Sequence, residues 1–152
     1  MGFFTLETAQ AQVMPGGNFG PWIWELKLKV EKVSADGFRV RLPYSDHVAR
    51  PGGVVIGQAM MALSDTIMVL AICEKLGRFA TLATISQTTN FMRAAVKRDI
   101  VGVAKVVKTG RSTIFGEVEI YVDESDEPIA QSISSFALLP DGVGAFNRAD
   151  ER

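Results

Sequence analysis

Residues 54–77, VVIGQAMMALSDTIMVLAICEKLG, decide the architecture. The run predicts a helix from about Val54 to Leu76, with Gly77 placed where a left-handed residue ends helices. Its apolar residues, among them Val55, Ala59, Met60, Leu63, Ile67, Leu70 and Ile72, surround the axis instead of striping one side. A helix apolar all round belongs in an interior. A membrane span is the competing reading, but Gln58, Ser64, Asp65 and Thr66 interrupt the middle and no second apolar run accompanies it.

Outward from this helix the pattern changes to that of strands. On the N-terminal side, Trp24 to Val33 and Phe38 to Leu42 alternate apolar and polar residues, joined by the hairpin signal Ala35-Asp36-Gly37. Residues 43–53, PYSDHVARPGG, read as a loop into the helix. On the C-terminal side four further strands are expected at Ala80 to Met92, Ile100 to Lys108, Ser112 to Asp123 and Pro128 to Leu139, with short polar turns at Thr109-Gly110-Arg111 and at residues 124–127. The third alternates most clearly, with Ile114, Gly116, Val118, Ile120 and Val122 on one face. The order predicts an α+β fold: one antiparallel sheet packed on one long helix, in a single domain spanning residues 1–152. The N-terminal segment, about residues 1–21, with a short amphipathic helix within Phe3 to Val13, and a polar C-terminal tail, about residues 141–152, are expected to be peripheral. One sheet covers only part of such a helix, and a second copy of the chain is the economical cover for the rest.

Composition narrows the function. With 16 basic and 17 acidic residues there is no positive field to attract a nucleic acid. The opening MGFFTLETAQAQ lacks a basic region followed by an apolar one, so a secretory signal is not expected, and Leu6 stands where myristoylation needs Ser or Thr. One cysteine, Cys73, and one histidine, His47, make a metal site improbable and suit a cytoplasmic protein without disulfides or cofactor. No G-x-S-x-G elbow is present, and Ser45 near His47 has no supporting signature.

Asp65 carries the chemistry. A carboxylate in the middle of an apolar helix is costly unless it is partnered or used. Gln58, seven residues earlier, shares its face. The glycines of Pro51-Gly52-Gly53 and Gly57 lie where N–H groups at a helix start remain open and the macrodipole is positive, an arrangement able to hold an oxyanion. The bland alternatives are an aspartate satisfied by local donors such as Thr66 and glycines that only turn the chain.

The string from Arg50 to Asp65, RPGGVVIGQAMMALSD, with the strand order around it, resembles the PaaI-like hotdog thioesterases; the likeness runs from about Leu28 to Leu139. The resemblance implies a hotdog fold, an antiparallel sheet curled around one central helix, and hydrolysis of an acyl-CoA-type thioester. It implies Asp65 as nucleophile or general base, the Gly57 N–H as the group polarising the carbonyl, and Thr84 as the hydroxyl on the next strand. It also implies a homodimer or homotetramer with each site shared between subunits. Many members carry His-Gly-Gly at the helix start and Asn in the preceding loop; here Ile56-Gly57-Gln58 and the region from Asp46 to Arg50 stand instead. The orienting group then falls among His47, Arg50 and Gln58.

Two other functions stay open. A hotdog dehydratase or hydratase pairs a loop histidine with an acid before Ala-Met, where this chain has Gln58 ahead of Ala59-Met60. A non-catalytic acyl-CoA-binding dimer keeps the apolar channel without turnover. Met60, Met61, Met68 and Phe91 are candidates for an acyl pocket, and Arg93, Lys97, Arg98 and Arg111 for phosphate contacts.

Overall fold

The computed structural model describes residues 2–140. The chain runs through α1 (Leu6–Gln12), the one-turn α2 (Pro21–Trp24), β1 (Lys29–Lys32), β2 (Phe38–Leu42), the two-residue strands β3 (Ala49–Arg50) and β4 (Val54–Val55), and α3 (Gly57–Leu76). It ends with β5 (Leu82–Phe91), β6 (Ile100–Thr109), β7 (Thr113–Val122) and β8 (Pro128–Leu138). Six strands form one antiparallel sheet in the order β1-β2-β6-β7-β8-β5, packed around α3. This is the α+β hotdog arrangement. The C-terminal tail, residues 141–152, lies outside the described residues.

The alternation in β7 does what the sequence predicts: Ile114, Gly116, Val118 and Ile120 are buried, while Phe115, Glu117 and Glu119 face outward. Two glycines let α3 approach the sheet closely. A Cβ on Gly102 would stand 2.8 Å from Ile67 Cδ1, and one on Gly116 would collide with the Met68 side chain. Met68, a candidate for the acyl pocket, is therefore a core residue, 1% exposed.

Two boundaries differ from expectation. The first strand is not Trp24 to Val33 but Lys29–Lys32, because Gly20 and Pro21 start a helical turn that includes Trp24. The chain leaves that turn through Lys27, at φ 59. The central helix starts at Gly57 rather than Val54. Val54 and Val55 pair instead with Arg50 and Ala49 across a tight turn that needs Gly52 and Gly53 at φ 100 and 83. The C-terminal stop is as predicted, with Gly77 at φ 72.

The two sheet edges are treated differently. Along β1 the Gln10 side chain of α1 acts as an extra strand: it donates to Leu28 O at 3.0 Å and accepts from Val30 N at 2.8 Å. Phe4, Ala9 and Val13 of this N-terminal segment are buried, and Glu74 at the end of α3 accepts from the N–H groups of Phe3 and Phe4. The other edge, β5, is ten residues long and carries neither charge nor proline, devices that normally blunt an edge.

On the outer face Arg41 binds Glu31 at 2.7 Å, Asp123 at 2.9 Å and Asp99 at 3.2 Å, joining β1, β2, the approach to β6 and the end of β7. Burial pushes the Glu31 carboxyl up, but hydrogen bonds from Arg41 and Arg39 and their charge outweigh it and hold it below the usual glutamate value. The Arg41 hydrogen bond holds Asp123 low against a smaller opposing effect of burial.

Candidate active site

The sheet does not cover all of α3. Gln58 and Met61 are exposed and Ala62, Asp65 and Val69 half-buried, a stripe at helical spacing that runs past β5. Within it Asp65 is neither free nor locally capped: its Oδ1 accepts a hydrogen bond of 2.7 Å from Thr84 Oγ1 on β5. Thr66, the alternative local donor, instead returns its hydroxyl to Ala62 O. The bond from Thr84 has the length of a charge-assisted contact and fixes one carboxylate oxygen. The other oxygen, Oδ2, has no protein partner among the described residues.

A second element lies at the helix start. Ile56 is the N-cap and offers no side-chain oxygen, so the N–H groups of Gly57 and Gln58 are left open at the positive end of a 20-residue helix. Gly57 borders a cavity of about 450 Å³ lined by Val54, Val55, Gly57, Met60, Phe91, Met92, Arg93 and Ala94. The Phe91 ring lies over Gly57, where a Cβ would be 3.1 Å from two ring carbons. Only glycine lets the ring approach that closely. The cavity combines an apolar wall with the open amide of Gly57, features suited to an acyl group and its carbonyl oxygen.

Gly57, Phe91 and Arg93 thus meet at one cavity, while Asp65 and Thr84 meet two turns further along the same helix. Arg50 is paired with the cavity residue Val54 but does not itself line the cavity. Arg93 also holds Glu127 at 2.8 Å, with both side chains more than 60% exposed. Met61 does not line the cavity; it is 40% exposed beside Asp65, and its neighbour Met60 supplies the wall. His47 is exposed in the single turn Asp46–Val48, whose Val48 is buried, and Gln58 is exposed on the first turn of α3. Cys73 is buried, which pushes its thiol up and makes the thiolate scarce. No group of three or more metal-type ligands occurs among the described residues. Sequence reasoning passed over Met92 at the cavity and Gln87 on β5, which donates weakly to Met61 O at 3.5 Å.

Among solved structures, a "putative thioesterase" from Silicibacter sp. is 26% identical with a TM-score of 0.78, covering 90% of this chain and 93% of that one. A conserved protein from Pseudomonas aeruginosa is 28% identical with a TM-score of 0.72, covering 80% of this chain and 95% of that one. Among curated proteins, "Putative esterase TV1331" of Thermoplasma volcanium is 27% identical over 100 residues, 66% of this chain and 74% of that protein. The family model described as Thioesterase superfamily matches residues 52–129, from the glycine turn before α3 into β8. That match spans half of the chain and contains Gly57, Asp65, Thr84 and the cavity, and on it the chain belongs to the thioesterase superfamily.

Proposed function

We propose that this protein hydrolyses an acyl-CoA-type thioester to a free acid and a thiol. Asp65 acts as nucleophile or general base, Thr84 orients it, and the Gly57 N–H receives the developing oxyanion. The observation that carries the proposal is the 2.7 Å bond from Thr84 to Asp65, a carboxylate aimed by a neighbouring strand with its second oxygen open. Membership of the superfamily supports the reaction class.

Geometry supports a shared site. Gly57 and Asp65 are eight residues apart on one straight helix, about 12 Å along its axis at 1.5 Å per residue. One thioester carbonyl cannot touch both in a single copy. The bare β5 edge and the uncovered stripe of α3 are the surfaces a second copy would cover, bringing its Gly57 towards Asp65. We therefore propose a homodimer or homotetramer with two-chain sites, the acyl group against Met60, Phe91 and Met92, and Arg93 and Arg50 near the CoA portion. The cytoplasm is the proposed compartment, in keeping with the single buried Cys73. No described helix is long and apolar enough to cross a membrane.

The test is release of free thiol from a panel of aryl- and fatty-acyl-CoA thioesters by the wild type and Asp65→Asn. Turnover by the wild type that falls about 10²-fold or more in the variant is expected, the scale for loss of a catalytic base. Binding without thiol release would make the protein a carrier, and a fully active Asp65→Asn would remove the mechanism.

A further inference from the structure

Strand β5 turns a polar face towards α3. In a regular strand Thr84 and Gln87, three residues apart, would face opposite sides. The register with β8 shifts between Thr84 and Ser86: before the shift Thr84 stands opposite Phe136, and after it Gln87 stands opposite Ser134 and Thr89 opposite Ser132. Those three partners are buried, so the bulge brings Thr84, Gln87 and Thr89 together on the helix side. The equivalent face of β7 is apolar or glycine, so the hydroxyl, carboxamide and second hydroxyl set this stretch of β5 apart as a polar surface that water can still reach.

Gln87 is held in a defined orientation. Met61 O can only accept, so the group 3.5 Å from it is the amide nitrogen Nε2, and Gln87 Oε1 then accepts from Thr89 Oγ1 at 3.1 Å. In an α-helix the carbonyl of Met61 is also the acceptor for the N–H of Asp65. The Gln87 amide and the Asp65 backbone thus converge on one atom. At 3.5 Å the amide is barely hydrogen-bonded, leaving its N–H groups available at a carbonyl one helical turn before Asp65, whose Oδ1 is occupied and whose Oδ2 is open.

We propose that Gln87 is a positioning residue for the hydrolytic water, donating an Nε2–H to the water oxygen while Asp65 Oδ2 accepts one of its protons. This rests on the reading of Asp65 as the catalytic carboxylate, and it selects the general-base route. As the water oxygen bonds to the thioester carbon, its proton passes to Asp65 Oδ2. Collapse of the tetrahedral adduct breaks the carbon–sulfur bond, and Asp65 returns the proton to the departing thiolate. Gln87 fills the role that the sequence left among His47, Arg50 and Gln58, and it does so from β5 rather than from the loop before α3.

Steady-state kinetics of Gln87→Met, Thr89→Val and Asp65→Asn on one thioester test this, with thermal melts alongside. Gln87→Met keeps length and removes the donor. Its kcat should fall about tenfold or more, on the scale of one lost transition-state hydrogen bond, with KM within about twofold. Thr89→Val, which only frees the carboxamide, should lower kcat in the same direction by less, with an unchanged melt. Should Gln87→Met not fold, an unchanged kcat in Thr89→Val overturns the proposal. Wild-type kcat in Gln87→Met, or a rise in KM equal to the whole loss, overturns it too. If Asp65→Asn is inactive while Gln87→Met is fully active, the role of Gln87 alone fails. A fully active Asp65→Asn sinks both.

Discussion

The bond between Thr84 and Asp65 permits a sharper test than either substitution alone. A hydrogen bond to a charged acceptor contributes roughly 1.5–3 kcal/mol. Thr84 is exposed, so water competes for the carboxylate, and the value belongs at or below the low end, about 1 kcal/mol. At about 1.4 kcal/mol per factor of ten, Thr84→Val should lower kcat by about fivefold. Asp65→Asn should cost about 10²-fold or more by removing the base. Independent contributions would multiply to about 500-fold in the double variant, because the free energies would add. The proposed mechanism demands another result. In it Thr84 acts only through its bond to Asp65 Oδ1, and once the carboxylate is an amide there is no base to aim, so the double variant should be no slower than Asp65→Asn. The assay is thiol release at saturating thioester for all four proteins. A multiplicative double variant would refute the claim that Thr84 works by orienting Asp65 and would give it a contact of its own with the substrate.

A bare β5 edge predicts a native mass of two or four chains by light scattering, and a stable monomer at micromolar concentration would contradict the shared site. Gly57→Ala keeps the open N–H but places a Cβ 3.1 Å from the Phe91 ring, so kcat/KM should fall by about tenfold, a cost of ~1.4 kcal/mol, with little change in the melt; an unaffected value would mean that the ring yields freely. Arg41→Met leaves Glu31, Asp99 and Asp123 facing one another and should lower the melting temperature most near neutral pH. The folded carboxyl values of Glu31 and Asp123 are depressed, so the stability they supply is present above their ordinary values and lost as pH falls through the folded ones. The gap between wild type and variant should therefore close as the pH is lowered through the carboxylate range, and a gap independent of pH would show that Arg41 contributes only packing.

Much of the fold was legible because its signals are local. Gly77 ends α3 where a left-handed residue was needed, and the period of two in β7 places its buried face correctly. The errors came where local signals compete. Val54 and Val55 continue the apolar run of α3, yet as β-branched residues they pair with β3 and leave the helix to start at Gly57. Asp65 stood out because a charge in an apolar helix is conspicuous. Gln87 did not, because its direction depends on a bulge that no periodicity reveals: regular alternation from Thr84 would turn it away from the helix. Met60 and Met61 are indistinguishable by type, and only the rotation of α3 sends one to the cavity and the other to the Asp65 side.

Assembly and chemistry draw on the same unsatisfied groups. A half-buried carboxylate loses more water when a second copy covers it, a cost that grows with burial unless a compensating positive group arrives. The open N–H groups at the start of α3 carry about half a positive charge, and they too lack partners in one copy. A two-fold dimer through β5 would turn the N-terminus of one helix towards the carboxylate of the other, so each partly offsets the desolvation of the other. The apolar wall of the cavity would supply the contact between them. In the proposed dimer a substrate carbonyl entering this gap would replace water between Asp65 and amide donors held by two folded chains. The preorganisation that lowers the barrier would then be set up when such a dimer forms, before any thioester is bound.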